Sequence, residues 1–187
     1  KYAEKALNIK PNYPNSLAVS GSLNMMAGNL DLGCNTMLLV DEFAEEINDK
    51  ALGAAAQYFC GKLDVALPNF EYVITKAPHF PSWVKYLYGY ALTDGGKYDK
   101  ALAFFETELQ KDHAWSGSSQ TMYLLSAFIN LKRGDKKKAE ELFEKQKALD
   151  GKGKTAKQIK GELFGAIDKT FLNEFLDALA PFGLPQE

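Results

Sequence analysis

The chain has 187 residues, 46% hydrophobic and 25% charged, with a net charge of −2. That composition suits one globular domain or a short repeat array. No apolar run approaches the roughly 18–20 residues that span a bilayer, and no basic-then-apolar leader opens the sequence.

Apolar periodicity places helices near 1–9, 14–27, 30–43, 46–60, 63–76, 81–93, 97–111, 117–132 and 135–149. Two more follow "DGKGKT" at 150–155, near 155–166 and 169–180. No segment reads as a strand. "YVITK" at 72–76 stays in helical register with Phe70. The expected class is therefore all-α.

A repeat organises these helices. A small turn residue is followed five positions later by Ala or Gly, and four later still by a large apolar residue. The instances are Gly28, Gly33, Met37; Gly61, Ala66, Phe70; Gly96, Ala101, Phe105; and Gly134, Ala139, Phe143. Ala3, Ala6 and Pro11 match the end of a further unit, and Pro78 closes the second full unit. Each glycine permits a tight turn. The small residue lets two helices approach, and the large one fills the groove between them. One hairpin cannot bury its own apolar surface, so neighbours must stack.

These units resemble tetratricopeptide repeats (TPR), through the four triplets, Tyr98 after its turn, and Pro11 and Pro78 at unit ends. The resemblance covers about residues 1–150. It implies a right-handed α-solenoid of antiparallel helix pairs, a TPR-like superhelix, with C-terminal capping helices. The expected divisions are a partial unit 1–12, full units 13–45, 46–79, 80–114 and 115–150, then a linker and capping helices over 151–187. Departures are Gly33 for the usual alanine, which weakens its helix by about 1 kcal/mol, His113 and Gly151 where a closing proline is common, and a stretched "WSGSSQ" at 115–120. More loosely, 78–106 and 171–187 resemble the C-terminal repeat region of bacterial proteins built on a class III adenylate/guanylate cyclase-type domain or a winged-helix regulator. This resemblance implies a regulatory fragment of a larger bacterial signalling protein. The chain also opens within a helix, as an excised C-terminal piece would.

Catalytic and cofactor chemistry finds little footing. The two histidines, His79 and His113, stand at unit ends, where an imidazole complements a helix C-terminus. No zinc spacing and no phosphate-loop frame is present. The expectation is a chain that is not an enzyme and takes no metal or cofactor. Cys34 and Cys60 lack CxxC spacing and sit in apolar helical contexts, the pattern of two buried, reduced thiols in a cytoplasmic protein.

Charge is uneven. Residues 132–160 carry 11 basic and 5 acidic side chains, and 161–187 carry 1 basic and 5 acidic. The basic block reads as solvated turns, as a contact for the acidic tail, or as a phosphate-contacting nucleic-acid site without stacking aromatics.

On a helix over 81–93, Val84, Leu87, Tyr88, Ala91 and Leu92 form one stripe, and Trp83, Tyr86 and Tyr90 another. The first stripe is core, with Gly89 allowing a close neighbour. The second faces the concave groove. Its equivalents are Ala18, Ser22 and Met25; Ala51, Ala55 and Tyr58; and Leu124, Phe128 and Leu131. The candidate partner-binding residues are thus Trp83, Tyr86, Tyr90, Tyr58, Phe128, Leu124 and Met25. Such a groove suits an apolar, aromatic-anchored protein or peptide segment, or the chain's own C-terminal helix, in which Phe171, Phe175 and Leu179 share a face. That helix either caps the last unit or enters the groove. The function implied is a protein–protein interaction scaffold; the alternatives are an appendage of a cyclase, or a nucleic-acid-associated module using 132–160.

Overall fold

The computed structural model describes residues 5, 8–77, 81–111, 116–163 and 169–187. Among these residues there are ten α-helices, one short 3-10 turn and no strand. Ala3, Ala6, Pro78, His79 and His113 lie outside them. The chain divides into two compact units, 1–80 with 164–168, and 81–163 with 169–187.

The first unit contains α1 (Pro14–Met26), α2 (Leu30–Glu42), α3 (Ile47–Phe59) and α4 (Leu63–Lys76). Pro14 opens α1 at its first helical position, where its missing N–H costs nothing. Gly28 and Gly61 turn each hairpin with φ of 88° and 73°, a conformation only glycine adopts without penalty. Two apolar clusters join the hairpins. In one, Leu17, Ala18 and Val40 take Leu52 of α3. In the other, Met25, Cys34 and Met37 surround Ala56, with Phe59 and Cys60 against them.

Gly33 has a stronger reason to be glycine than its departure from the repeat suggests. A Cβ built there would stand 2.8 Å from the Gly21 carbonyl oxygen and 2.3 Å from Met25 Cγ. A Cβ on Gly21 would stand 2.7 Å from the Gly33 carbonyl. Helices α1 and α2 therefore cross backbone to backbone, and the propensity loss at Gly33 is the condition for that approach.

The cysteines correct the expectation of two reduced thiols. Cys34 on α2 and Cys60 at the end of α3 form a disulfide, with Cα atoms 5.6 Å apart. Stacking α3 on α2 brings its C-terminus beside Cys34. The weight that reduced thiols gave to a cytoplasmic setting goes with them, because such bonds persist in oxidising surroundings.

The second unit contains α5 (Ser82–Asp94), α6 (Tyr98–Leu109), α7 (Ser116–Lys132), α8 (Lys136–Ala148), α9 (Ala156–Glu162) and α10 (Thr170–Leu179), then a 3-10 turn, Ala180–Phe182. Gly96 and Gly134 turn with φ of 65° and 82°. The expected core stripe of α5, Val84, Leu87, Tyr88, Ala91 and Leu92, is buried. Gly89 sits under the Phe105 ring, where a Cβ would stand 2.6 Å from Cε1. Lys85 clasps Glu108 of α6 at 2.7 Å.

Residues 150–155 form an ordered turn. Asp150 Oδ1 accepts from the backbone N–H groups of Lys152 and Gly153 at 3.0 and 2.8 Å. Thr155 and Gln158 then close a capping box at the start of α9, satisfying two otherwise orphan donors. Past Gly183, the tail returns to α9, where the Ala156 N–H donates to the Pro185 carbonyl at 2.7 Å.

Candidate functional site

The second unit gathers part of the predicted aromatic stripe around one element, α10. Tyr90 on α5 has no exposed surface, and Phe128 on α7 has almost none. Both meet the same two rings. Tyr90 lies edge-on to Phe171 and Phe175 at 6.3 and 6.1 Å, and Phe128 meets them edge-on at 5.8 and 5.4 Å. Phe171 and Phe175 stack on each other at 5.8 Å. Edge-to-face pairs of this kind add about 0.5–1.5 kcal/mol each beyond burial. The spacing of 171 and 175 puts the rings one helical turn apart, so one face of α10 enters one cradle.

The other predicted residues fall in different places. Tyr86 is half-buried and meets Tyr90 edge-on at 6.4 Å. Trp83 is half-buried at the start of α5, and Leu124 is fully buried one turn before Phe128. Met25 and Tyr58 belong to the first unit. Met25 packs with Cys34, Met37 and Ala56, and Tyr58 is buried beside Phe59.

Beneath the rings lies a polar network that periodicity does not reveal. The Glu162 carboxylate accepts hydrogen bonds from the Tyr90 hydroxyl at 2.9 Å and the Thr121 hydroxyl at 3.2 Å. Its other oxygen meets the ammonium of Lys154, which also donates to Thr121. Lys154 is buried. Burial pushes the Tyr86 hydroxyl above its ordinary value, and the nearby Glu162 charge adds to the shift. Eight residues separate Lys154 from Glu162 across a turn, so no helical spacing signals the pair.

Part of the basic block is engaged with acids. Lys132 pairs with Glu174 of α10 and lies 5.7 Å over the Phe128 ring. Arg133 pairs with Asp99, Lys138 with Glu141, and Lys147 with Glu144. Beside α10 runs an open cleft of about 1180 Å³, with Phe128, Leu131, Lys132, Glu174, Asp177 and Phe182 among its lining residues.

No family model matches the sequence, and no curated protein does. Among solved structures, the chain is similar to a crystal structure of MamA, a TPR-like helical repeat protein, at a TM-score of 0.59 and 16% identity. The match covers 80% of this chain and 85% of that one. Identity that low shows the fold alone, and the fold is a TPR-like helical repeat. Neither a cyclase-type nor a winged-helix neighbour finds support in these comparisons. Among the described residues, no helix is long and apolar enough to cross a membrane.

Proposed function

We propose that this chain is a non-catalytic protein–protein interaction module that recognises an amphipathic helix through the aromatic face of α5 and α7. The ligand pattern is two aromatic rings one turn apart, with an acidic residue to meet Lys132. The carrying observation is α10 itself, which presents Phe171 and Phe175 to Tyr90 and Phe128 and Glu174 to Lys132. Helix α10 is then an intramolecular ligand, and an external helix of the same pattern competes with it. Trp83 and Tyr86 would extend the face towards the start of α5. Helix-in-groove recognition of this kind draws its affinity from a few apolar anchors and its register from flanking charge.

The test is calorimetric titration of a peptide of residues 169–187 into the chain truncated after Asp168. Saturable binding that Phe128→Ala weakens at least tenfold supports the reading. A folded truncated chain that takes no peptide contradicts it.

A further inference from the structure

Helix α10 places its rings in the aromatic cradle but leaves the cleft of about 1180 Å³ beside it open, within the second unit. Two contacts fix how α10 runs along this cleft. At one end Glu174 pairs with Lys132, just before the turn into α8. At the other, the Phe182 ring lies 5.9 Å from Phe143 of α8. Residues 174–182 therefore follow α8 from its first turn towards Phe143.

The charges on the two walls follow that register. Lys132, Lys136 and Lys137 stand at the Glu174 end. Further along α8 come Glu140 and Glu144, one turn apart on one side of the helix. The opposite wall there consists of Asp177, Ala178 and Pro181. Both walls thus carry carboxylates beyond the lysines, and the short side chains of Ala178 and Pro181 do not reach across. Glu144 pairs with Lys147, but Glu140 and Asp177 have no ion-pair partner among the described residues.

We propose, resting on the reading of α10 as an intramolecular ligand, that this cleft is a specificity pocket for a lysine or arginine of the external helix. The partner pattern is an aromatic residue, an acid three positions later, a second aromatic at four and a basic residue at seven. These are the places of Phe171, Glu174, Phe175 and Ala178. A long basic side chain at the last place spans the cleft to Glu140 and offsets the like charges of its walls. The chain's own helix, with alanine there, is a ligand that such a helix outcompetes. A second copy of the chain carries the same alanine and does not fit the pattern.

The experiment uses fluorescein-labelled peptides of residues 169–187, unchanged or carrying Ala178→Lys or Ala178→Glu, followed by anisotropy at low salt. They are titrated with the full-length Phe171→Ala/Phe175→Ala protein, with and without Glu140→Gln/Glu144→Gln. The lysine peptide should bind about threefold tighter than the unchanged one, and the glutamate peptide more weakly. The lysine's advantage should vanish on the Glu140→Gln/Glu144→Gln protein. That comparison removes any gain from pairing of residues 174 and 178 within the peptide, which is the same on both proteins. A second readout needs no peptide: Ala178→Lys in the otherwise wild-type chain should raise the unfolding midpoint, but not when Glu140→Gln/Glu144→Gln is also present. A lysine peptide that binds no tighter, a glutamate peptide that binds tighter, or an advantage that survives loss of both glutamates overturns the inference and leaves the α10 reading standing. No binding of any peptide to a folded protein overturns both.

Discussion

Breaking the Cys34–Cys60 bond should be the most costly single perturbation of the first unit. The two residues are 26 apart in sequence. Closing a loop of that length removes denatured-state entropy equivalent to about 3.5 kcal/mol at 25 °C. The bond also fixes α3 against α2 at the Met25, Met37 and Ala56 cluster, so its loss acts where the two hairpins meet. In a unit of roughly 80 residues, a change of that size lowers the unfolding midpoint by more than about 10 °C. Scanning calorimetry with and without reductant measures it, with thiol titration to show that reduction is complete. The Cys34→Ala/Cys60→Ala variant should unfold at the reduced protein's midpoint and ignore reductant. Equal midpoints for the oxidised and fully reduced protein would refute the reasoning, as would two titratable thiols in native protein purified without reductant.

Three further outcomes follow from the packing and the charges. Gly33→Ala should destabilise the first unit by about 1–3 kcal/mol in urea denaturation, despite a helix-propensity gain of about 1 kcal/mol, because its methyl group meets the Gly21 carbonyl. Lys154→Met should cost the second unit about 1–3 kcal/mol, since it leaves the partly buried Glu162 carboxylate without its cation; Lys154→Met/Glu162→Gln should recover part of that loss. Burial raises the Glu108 carboxyl, but hydrogen bonds from Lys111 and Lys85, reinforced by their charges, outweigh it and hold the group below its ordinary value of 4.5. A depressed folded pKa stabilises above the unfolded value and is lost as pH falls through the folded one. The stability gap between wild type and Glu108→Gln should therefore be full at pH 7 and shrink below about pH 4.5 in thermal melts.

The residues that were legible in the sequence are those whose role is settled within one hairpin. Gly28, Gly61, Gly96 and Gly134 announce turns because a positive φ is a local demand. Phe70, Phe105 and Phe143 announce the groove because one turn separates them from a small residue. Val84, Leu87 and Tyr88 follow from a helical wheel. Features that depend on how elements come together were not legible. The need for glycine at 33 comes from Gly21 on another helix. Cys34 meets Cys60 only when the second hairpin stacks on the first. Lys154 looks like one more solvated lysine until the turn at 150–155 carries it to Glu162. The wheel separates Tyr90 from the hairpin core, but not what covers it, because a wheel has no information about α10.

The account turns on whether the aromatic face of α5 and α7 is a binding site that α10 fills. Anisotropy of a labelled peptide of residues 169–187 against two full-length proteins tests this most directly: the wild type, and the Phe171→Ala/Phe175→Ala variant whose own helix has lost its anchors. The prediction is saturable binding to the variant and at least tenfold weaker binding to the wild type. Equal binding to both proteins, or none to a folded variant, would contradict it.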